Sequence, residues 1–440
     1  MFKPVLLCGF LMLAAGAATA QGRAFADAIA YPAATVTQTE ADEYTRYELL
    51  APESASFRIT YEVTATTAGA RVFYNPIRKG SIATDEAVYD AMTGKPLKFE
   101  VVHGADARKD ALMPKADVDG DYIKVTLARA VPVNGQGRLV IVKTYKDAKS
   151  YYLEGAGIVF ARPLGIQRNK VVLPAGYEVT GLTVPSQILT EPDGRISISF
   201  LHAGAGEAPL VLRATKTART GAGAMPRATT EARPWEAPFA GQPERARLAE
   251  RAHQDRDIVY FLQQPETHSF ALFHDYTESR PGINAYANVV RTGSTASDPS
   301  AYLLDTGEVL KTRVMTGAEM KAAHLNAGDD PDEPIPEAAT VVIIPFAPVD
   351  AGGSRRLRIA ETYTAPVSYR LEKNAGVEEL VFDRSLGRPR NAVVLPAGWY
   401  CTASATPGTV TQMPDGRVRL DFWAGTPEAA DVLVKARRRP

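Results

Sequence analysis

Phe160-Ala161-Arg162-Pro163-Leu164-Gly165-Ile166-Gln167-Arg168-Asn169-Lys170-Val171-Val172-Leu173-Pro174-Ala175-Gly176 returns later in the chain as Phe382-Asp383-Arg384-Ser385-Leu386-Gly387-Arg388-Pro389-Arg390-Asn391-Ala392-Val393-Val394-Leu395-Pro396-Ala397-Gly398. Twelve of the seventeen positions agree, far beyond coincidence. The same offset of 222 carries Pro192-Asp193-Gly194-Arg195 onto Pro414-Asp415-Gly416-Arg417. Upstream, Thr144-Tyr145 and Ser150-Tyr151 meet Thr362-Tyr363 and Ser368-Tyr369 at 218, and Pro52-Glu53, Asn75 and Thr93-Gly94 meet Pro265-Glu266, Asn288 and Thr306-Gly307 at 213. Only loop lengths change between these blocks, so the chain is one domain written twice.

The copies run over 45–215 and 257–437, each long enough to bury its own core. Units of this size are not short-period solenoid repeats, whose members cannot bury a face alone. A lead-in at 21–44 precedes the first copy. The stretch 216–256 between the copies is rich in Ala, Thr, Gly and Pro and reads as a linker. Its last part, 243–253, opens with proline and continues in strong helix formers, which predicts one short helix.

Within a copy, polar and apolar residues alternate with period two, as in Arg195-Ile196-Ser197-Ile198-Ser199-Phe200 and Arg417-Val418-Arg419-Leu420-Asp421-Phe422. That pattern predicts strands with one wet face. Each follows a Pro-Asp-Gly turn, in which proline sets one φ angle and glycine supplies the positive one. Ile59, Tyr61 and Val63 share a face, as do Ile123, Val125 and Leu127. No long segment inside a copy has helical periodicity. The expected fold is all-β: two tandem antiparallel β-sandwich domains from an internal duplication, joined by a linker with one short helix.

The N-terminus has the form of a secretory signal: Lys3, an apolar core from Val5 to Ala15, and Ala18-Thr19-Ala20 before Gln21. The signal peptide is assigned to 1–20, and its core is too short to span a bilayer, so the mature chain is expected to have no transmembrane segment. Export to a periplasm or to the exterior follows. Losing the signal removes Cys8 and leaves Cys401 as the only cysteine, so no internal disulfide can form. Fifty basic residues balance fifty acidic ones, which argues against nucleic acid as a partner.

The sharply defined catalytic signatures are missing from the sequence: there is no His-Glu-x-x-His, Cys-x-x-Cys, Gly-x-Ser-x-Gly, or phosphate-binding glycine loop. Three weaker constellations remain. Arg162, Arg168 and Asn169, matched by Arg384, Arg390 and Asn391, are candidate ligand-binding residues, because a guanidinium recognises carboxylate or phosphate through its planar fork. The bland alternative pairs Arg162 and Arg384 with Glu154 and Glu372 and lets Asn169 close a turn. Asp117, Asp119 and Asp121, with Asp329, Asp330 and Asp332, are candidate ligands for calcium, which takes about six to eight oxygens. No other cofactor is expected. His268 and His274 fall on one face of a predicted strand, but at ~3.3 Å per residue they stand about 20 Å apart, too far for a shared metal.

The reading that follows is an exported, non-enzymatic binding or scaffolding protein of the bacterial cell envelope or exterior, with a protein or glycan as partner and the groove between domains or the loop ends as contact surface. Two alternatives stand beside it. One is a hydrolase whose site is confined to the second copy; the other is a calcium-dependent adhesive or carbohydrate-binding module.

Overall fold

The computed structural model describes residues 37–204, 206–217, 250–254, 256–327, 335–374, 376–426 and 429–440. The signal, Trp235, Asp329, Asp330 and Asp332 lie outside these residues, as does most of the helix expected at 243–253. The described end of that stretch, 250–253, forms a turn.

Both copies are built almost wholly of strands, and each has three sheets. In the first copy a seven-stranded sheet runs in the order Gln187–Thr190, Ile196–Leu201, Arg168–Val172, Glu40–Leu49, Ser56–Ala65, Gly137–Lys146, Ile82–Asp90. The second copy repeats that order as Thr409–Gln412, Val418–Trp423, Arg390–Val394, Asp257–Leu262, Ser269–Glu278, Arg355–Thr364, Thr295–Leu303, with the two-residue strand Val309–Leu310 added at the edge. Each large sheet is faced by a four-stranded and a three-stranded sheet. A short helix, Gly104–Ala107 or Gly317–Ala322, adjoins each three-stranded sheet, and the second is closed by a capping box between Thr316 and Glu319. Among the described residues no helix is long and apolar enough to cross a membrane.

Pairing in the large sheets is antiparallel except at one place in each copy. Glu40–Leu49 lies parallel to Arg168–Val172, and Asp257–Leu262 lies parallel to Arg390–Val394. The expectation of purely antiparallel sheets is corrected there. Parallel strands are ordinarily covered on both faces, and every residue of Arg168–Val172 and of Arg390–Val394 is buried. The unbroken apolar run Val-Val-Leu that follows each Asn is the sequence sign of this double burial.

The core of the first copy is one continuous cluster in which Phe57, Ile59 and Tyr61 of the large sheet meet Phe73 and Ile123 of the three-stranded sheet and Phe160 and Leu212 of the four-stranded one. Phe57 and Phe160 stand edge to face at 5.3 Å, and their counterparts Phe270 and Phe382 do so at 5.8 Å. Such pairs add about 0.5–1.5 kcal/mol beyond area burial. The Tyr151 hydroxyl donates to the Leu50 carbonyl at 2.8 Å, and Tyr369 donates to the matching carbonyl of Gln263. Tyr177 and Trp399 are buried too, so these aromatics pack rather than form a contact face. The Pro-Asp-Gly turns form as expected: Gly194 and Gly416 both take φ +84°, and the Asp193 and Asp415 carboxylates accept from the backbone N–H two residues on.

The outer faces of the two large sheets differ. Ser197 and Ser199, expected on a wet face, are buried. Ser197 donates to Glu191, and Ser199 donates to Glu250, a residue of the segment that leads into the second copy. Lys170 bridges Glu191 at 2.8 Å and Glu250 at 2.6 Å, and Tyr44 also donates to Glu250. On the same face of the second copy Ala392 stands in place of Lys170 within an apolar cluster of Val259, Phe261, Phe273 and Val394, while Arg419 and Asp421, paired at 2.7 Å, stand in place of Ser197 and Ser199.

The large sheets meet end to end. The Gln136 N–H donates to the Leu304 carbonyl at 2.7 Å, and the Ser354 N–H donates to the Met92 carbonyl at 3.1 Å. Gln136 and Ser354 are matched by the duplication, and their acceptors lie one residue out of register. A Cβ on Gly135 would stand 2.6 Å from the Leu304 carbonyl oxygen, and one on the matched Gly353 would stand 2.6 Å from the Met92 oxygen. Such reciprocity is the mark of an approximately two-fold, isologous contact. It is sealed by Arg138, whose Nε and Nη2 hold the two carboxylate oxygens of Asp305 at 2.7 and 2.8 Å, with Asp305 wholly buried. Arg129 adds a bond from its Nε to the Asp305 carbonyl at 2.8 Å.

Candidate functional site

The six candidate binding residues divide into three kinds. Asn169 and Asn391 are buried and structural: the side-chain amide of each donates to the carbonyl three residues earlier, Ile166 at 2.5 Å and Arg388 at 2.7 Å, closing the turn before the strand.

Arg162 and Arg384 point into the cores. The proposed partners Glu154 and Glu372 do not hold them, because Glu154 pairs with Arg213 and Glu372 with Arg370. Arg162 is bound instead by Asp147 at 3.1 Å and lies over the rings of Phe57 and Tyr145. Arg384 occupies the same place, but Asp147 has become Ala365 there, and no carboxylate touches it among the described residues. Three rings face it: Phe270 at 5.4 Å, Tyr363 at 5.9 Å and Tyr260 at 6.0 Å.

A second exchange accompanies the first. Lys143 of the first copy corresponds to Glu361 of the second, and both are buried. The matched asparagines change role with them: the Asn75 carbonyl oxygen accepts from Lys143 Nζ at 2.5 Å, whereas the Asn288 amide donates to Glu361 at 2.7 Å. Burial, reinforced by the neighbouring Arg162 guanidinium, pushes the Lys143 ammonium down to about 7, and burial raises the Glu361 carboxyl. Between the copies the buried carboxylate has thus moved from position 147 to the place of Lys143. The signal was present in the sequence as Lys143 and Asp147 set against Glu361 and Ala365 at the offset of 218.

The depressed Lys143 gives the fold a pH dependence. The unfolded chain holds this proton up to about pH 10.5, while the native protein releases it near 7. Between those values the unfolded state binds more protons, so stability rises with pH across that window and levels off below it. Melting curves of Lys143→Met against the native protein should show a gain at pH 6 that shrinks steadily toward pH 10; a gain independent of pH would contradict the assignment.

Arg168 and Arg390 are the pair that the structure brings together. Matched by the duplication, they come from different halves and line one cavity of about 670 Å³, within the usual range for small-ligand sites. Arg168 starts its strand opposite Tyr44 and Leu201, and Arg390 starts its own opposite Asp257 and Trp423. Besides small residues, the wall includes Glu40, Glu43, Gln167 and Glu207 of the first copy and Asp257 and Trp423 of the second. Arg168 also sends Nη1 to the Ala252 and His253 carbonyls at 3.1 and 3.3 Å, tying the lead-in of the second copy to the first. The acidic residues and Trp423 had no sequence mark of a site, since their proximity arises only from the end-to-end packing.

The other candidates among the described residues do not assemble. Asp117 pairs with Lys79 at 2.7 Å, Asp121 with His103 at 3.0 Å, and the Asp119 N–H donates to Asp117, so the three carboxylates do not converge. Among the described residues no group of three or more His, Cys, Asp or Glu side chains is placed to hold a metal. His268 is not on a strand: it caps a 3-10 turn at φ +52°, as Ala55 does at +50° in the first copy, and its Nδ1 lies 3.1 Å from the Tyr369 carbonyl. His274 is buried where the first copy has Tyr61, 3.3 Å from the Tyr286 hydroxyl. Burial, with Arg388 and Arg256 nearby, holds it well below the usual histidine range.

No family model matches the chain, and no curated protein matches it. Among solved structures, a two-domain M1 zinc metallopeptidase bound to L-tryptophan is 11% identical, with a TM-score of 0.28 over 41% of this chain and 43% of that one. An M1 zinc metallopeptidase from Deinococcus radiodurans bound to a Tyr-Ser-Ala substrate is 12% identical, with a TM-score of 0.27 over 41% of this chain and 42% of that one. An aminopeptidase N family protein from Idiomarina loihiensis is 9% identical, with a TM-score of 0.25 over 41% and 29%. The matched part spans less than half the length of each of these enzymes, and a likeness of this degree carries no argument about what this chain does.

Proposed function

We propose that this chain is an exported, non-catalytic binding or scaffolding protein of the cell envelope or exterior, and that its binding place is the cavity between the halves. One observation carries the reading: Arg168 and Arg390, equivalent by duplication, line a single cavity although they belong to different copies. Two similar domains locked end to end supply what a binding protein needs, a concave place with polar groups held by rigid strand ends. A partner protein or glycan would enter by a protruding group of that size, or a small molecule would fill it.

The test is a melting-temperature screen of the full chain against small amines, carboxylates, sugars and envelope glycan fragments, run beside a Trp423→Arg variant that fills the cavity. Ligands that bind there stabilise the native chain in proportion to concentration over Kd and leave the variant unmoved. A screen in which no compound shifts the native protein, or in which every shift persists in Trp423→Arg, overturns the reading.

A further inference from the structure

We propose that the cavity between the halves takes a small organic cation, an amine-bearing molecule whose ammonium groups meet the carboxylates and whose carbon body lies against Trp423. This rests on the cavity being the binding place and adds the class of ligand.

The first support is charge. Four carboxylates, Glu40, Glu43, Glu207 and Asp257, line the cavity against two guanidiniums, Arg168 and Arg390. Asp257 and Arg390 are partners in register on neighbouring parallel strands, and Arg168 directs Nη1 at two backbone carbonyls. Glu40, Glu43 and Glu207, all from the first copy, line the space; Glu40 and Glu43 hydrogen-bond to each other, and burial together with that neighbour raises the Glu40 carboxyl to about 7. Glu43 also accepts from the Tyr61 hydroxyl, a bond that fixes its side chain.

The second support comes from the duplication itself. At the offset of 213, Glu40 and Glu43 correspond to His253 and Arg256, so approximate two-fold packing would set bases against acids. The bases are turned elsewhere: Arg256 lies 4.4 Å from the centre of the Tyr276 ring, and His253 meets Glu62 at 3.1 Å. Neither is among the residues that line the cavity. The space therefore keeps its acids and has lost the matching bases.

The third support is Trp423, which replaces Leu201 of the first copy beside the matched arginine. An indole is the best of the aromatic faces for an organic cation, worth about 0.5–2 kcal/mol. Leucine offers no such face.

The probe is spermidine, titrated calorimetrically into the full-length protein at low ionic strength. Saturable binding at one site is expected, weakened at least tenfold in Glu43→Gln/Glu207→Gln and severalfold in Trp423→Leu. Glutamine keeps the size and the acceptor at both acidic positions, and melting curves of both variants check that the fold survives. Binding of spermidine that is unchanged in the variants overturns the proposal. If succinate binds in place of spermidine and is lost in Arg390→Gln, the cavity stands as the binding place and the cationic ligand is wrong. If neither probe nor any compound of the melting screen binds, both readings fall.

Discussion

Asp147→Ala should destabilise the protein by about 3–5 kcal/mol, the usual cost of removing one partner from a buried ion pair, and Lys143→Glu in the same chain should recover a large part of it. The single change leaves Arg162 in the core of the first copy with a lysine beside it and no carboxylate in contact. It also removes the bonds that Asp147 accepts from Ser150 and from the Lys149 N–H. The double variant reproduces the arrangement of the second copy, where Ala365 and Glu361 stand at these positions and Arg384 is buried against the same set of rings. Denaturant unfolding of the four members of this cycle measures the coupling, expected at about 1–3 kcal/mol in favour of the double change. Additive losses would show that the two exchanges arose independently and that Glu361 does not compensate Arg384.

The second large effect belongs to Asp305→Ala. Its carboxylate is wholly buried between the halves, and both oxygens are held by Arg138. Removal leaves Arg138 buried and reduced to its bond to Ser354, so a loss of about 3–5 kcal/mol is expected. Replacing both partners by apolar residues, as in Arg138→Met/Asp305→Leu, should cost far less, because no charge is then stranded. Denaturant titration of the three proteins separates these outcomes. Equal losses in the single and double variants would mean that packing, and not the uncompensated guanidinium, dominates.

Much of the fold was legible because duplication turns a sequence into its own alignment. Period-two alternation and the Pro-Asp-Gly turns identified the strands, and the conserved Asn169 and Asn391 are the turn-closing residues that their position before Val-Val-Leu suggested. Three things were not legible. The parallel pairing of each first strand depends on which distant strand lies beside it, and local pattern does not encode that. Ser199 read as part of a wet face because its partner, Glu250, sits 51 residues away in the chain. The cavity could not be read at all, since Glu43, Arg168, Arg390 and Trp423 become neighbours only when one copy is docked on the other. Arg168 and Arg390, retained in both copies, line it, whereas Arg162 and Arg384, retained as well, lie in the cores of their own copies. Retention in both copies marks constraint without distinguishing a cation packed in one copy's core from an equally buried one that lines the cavity.

The two copies form one body through the reciprocal contact of their large sheets, with the cavity held between them. Scanning calorimetry of the full-length protein tests it most directly. A single cooperative endotherm is expected, separating into two when Asp305 is replaced by alanine, because the halves then lose the buried bond that couples them. Two independent endotherms in the native protein, unaltered by that substitution, would contradict it.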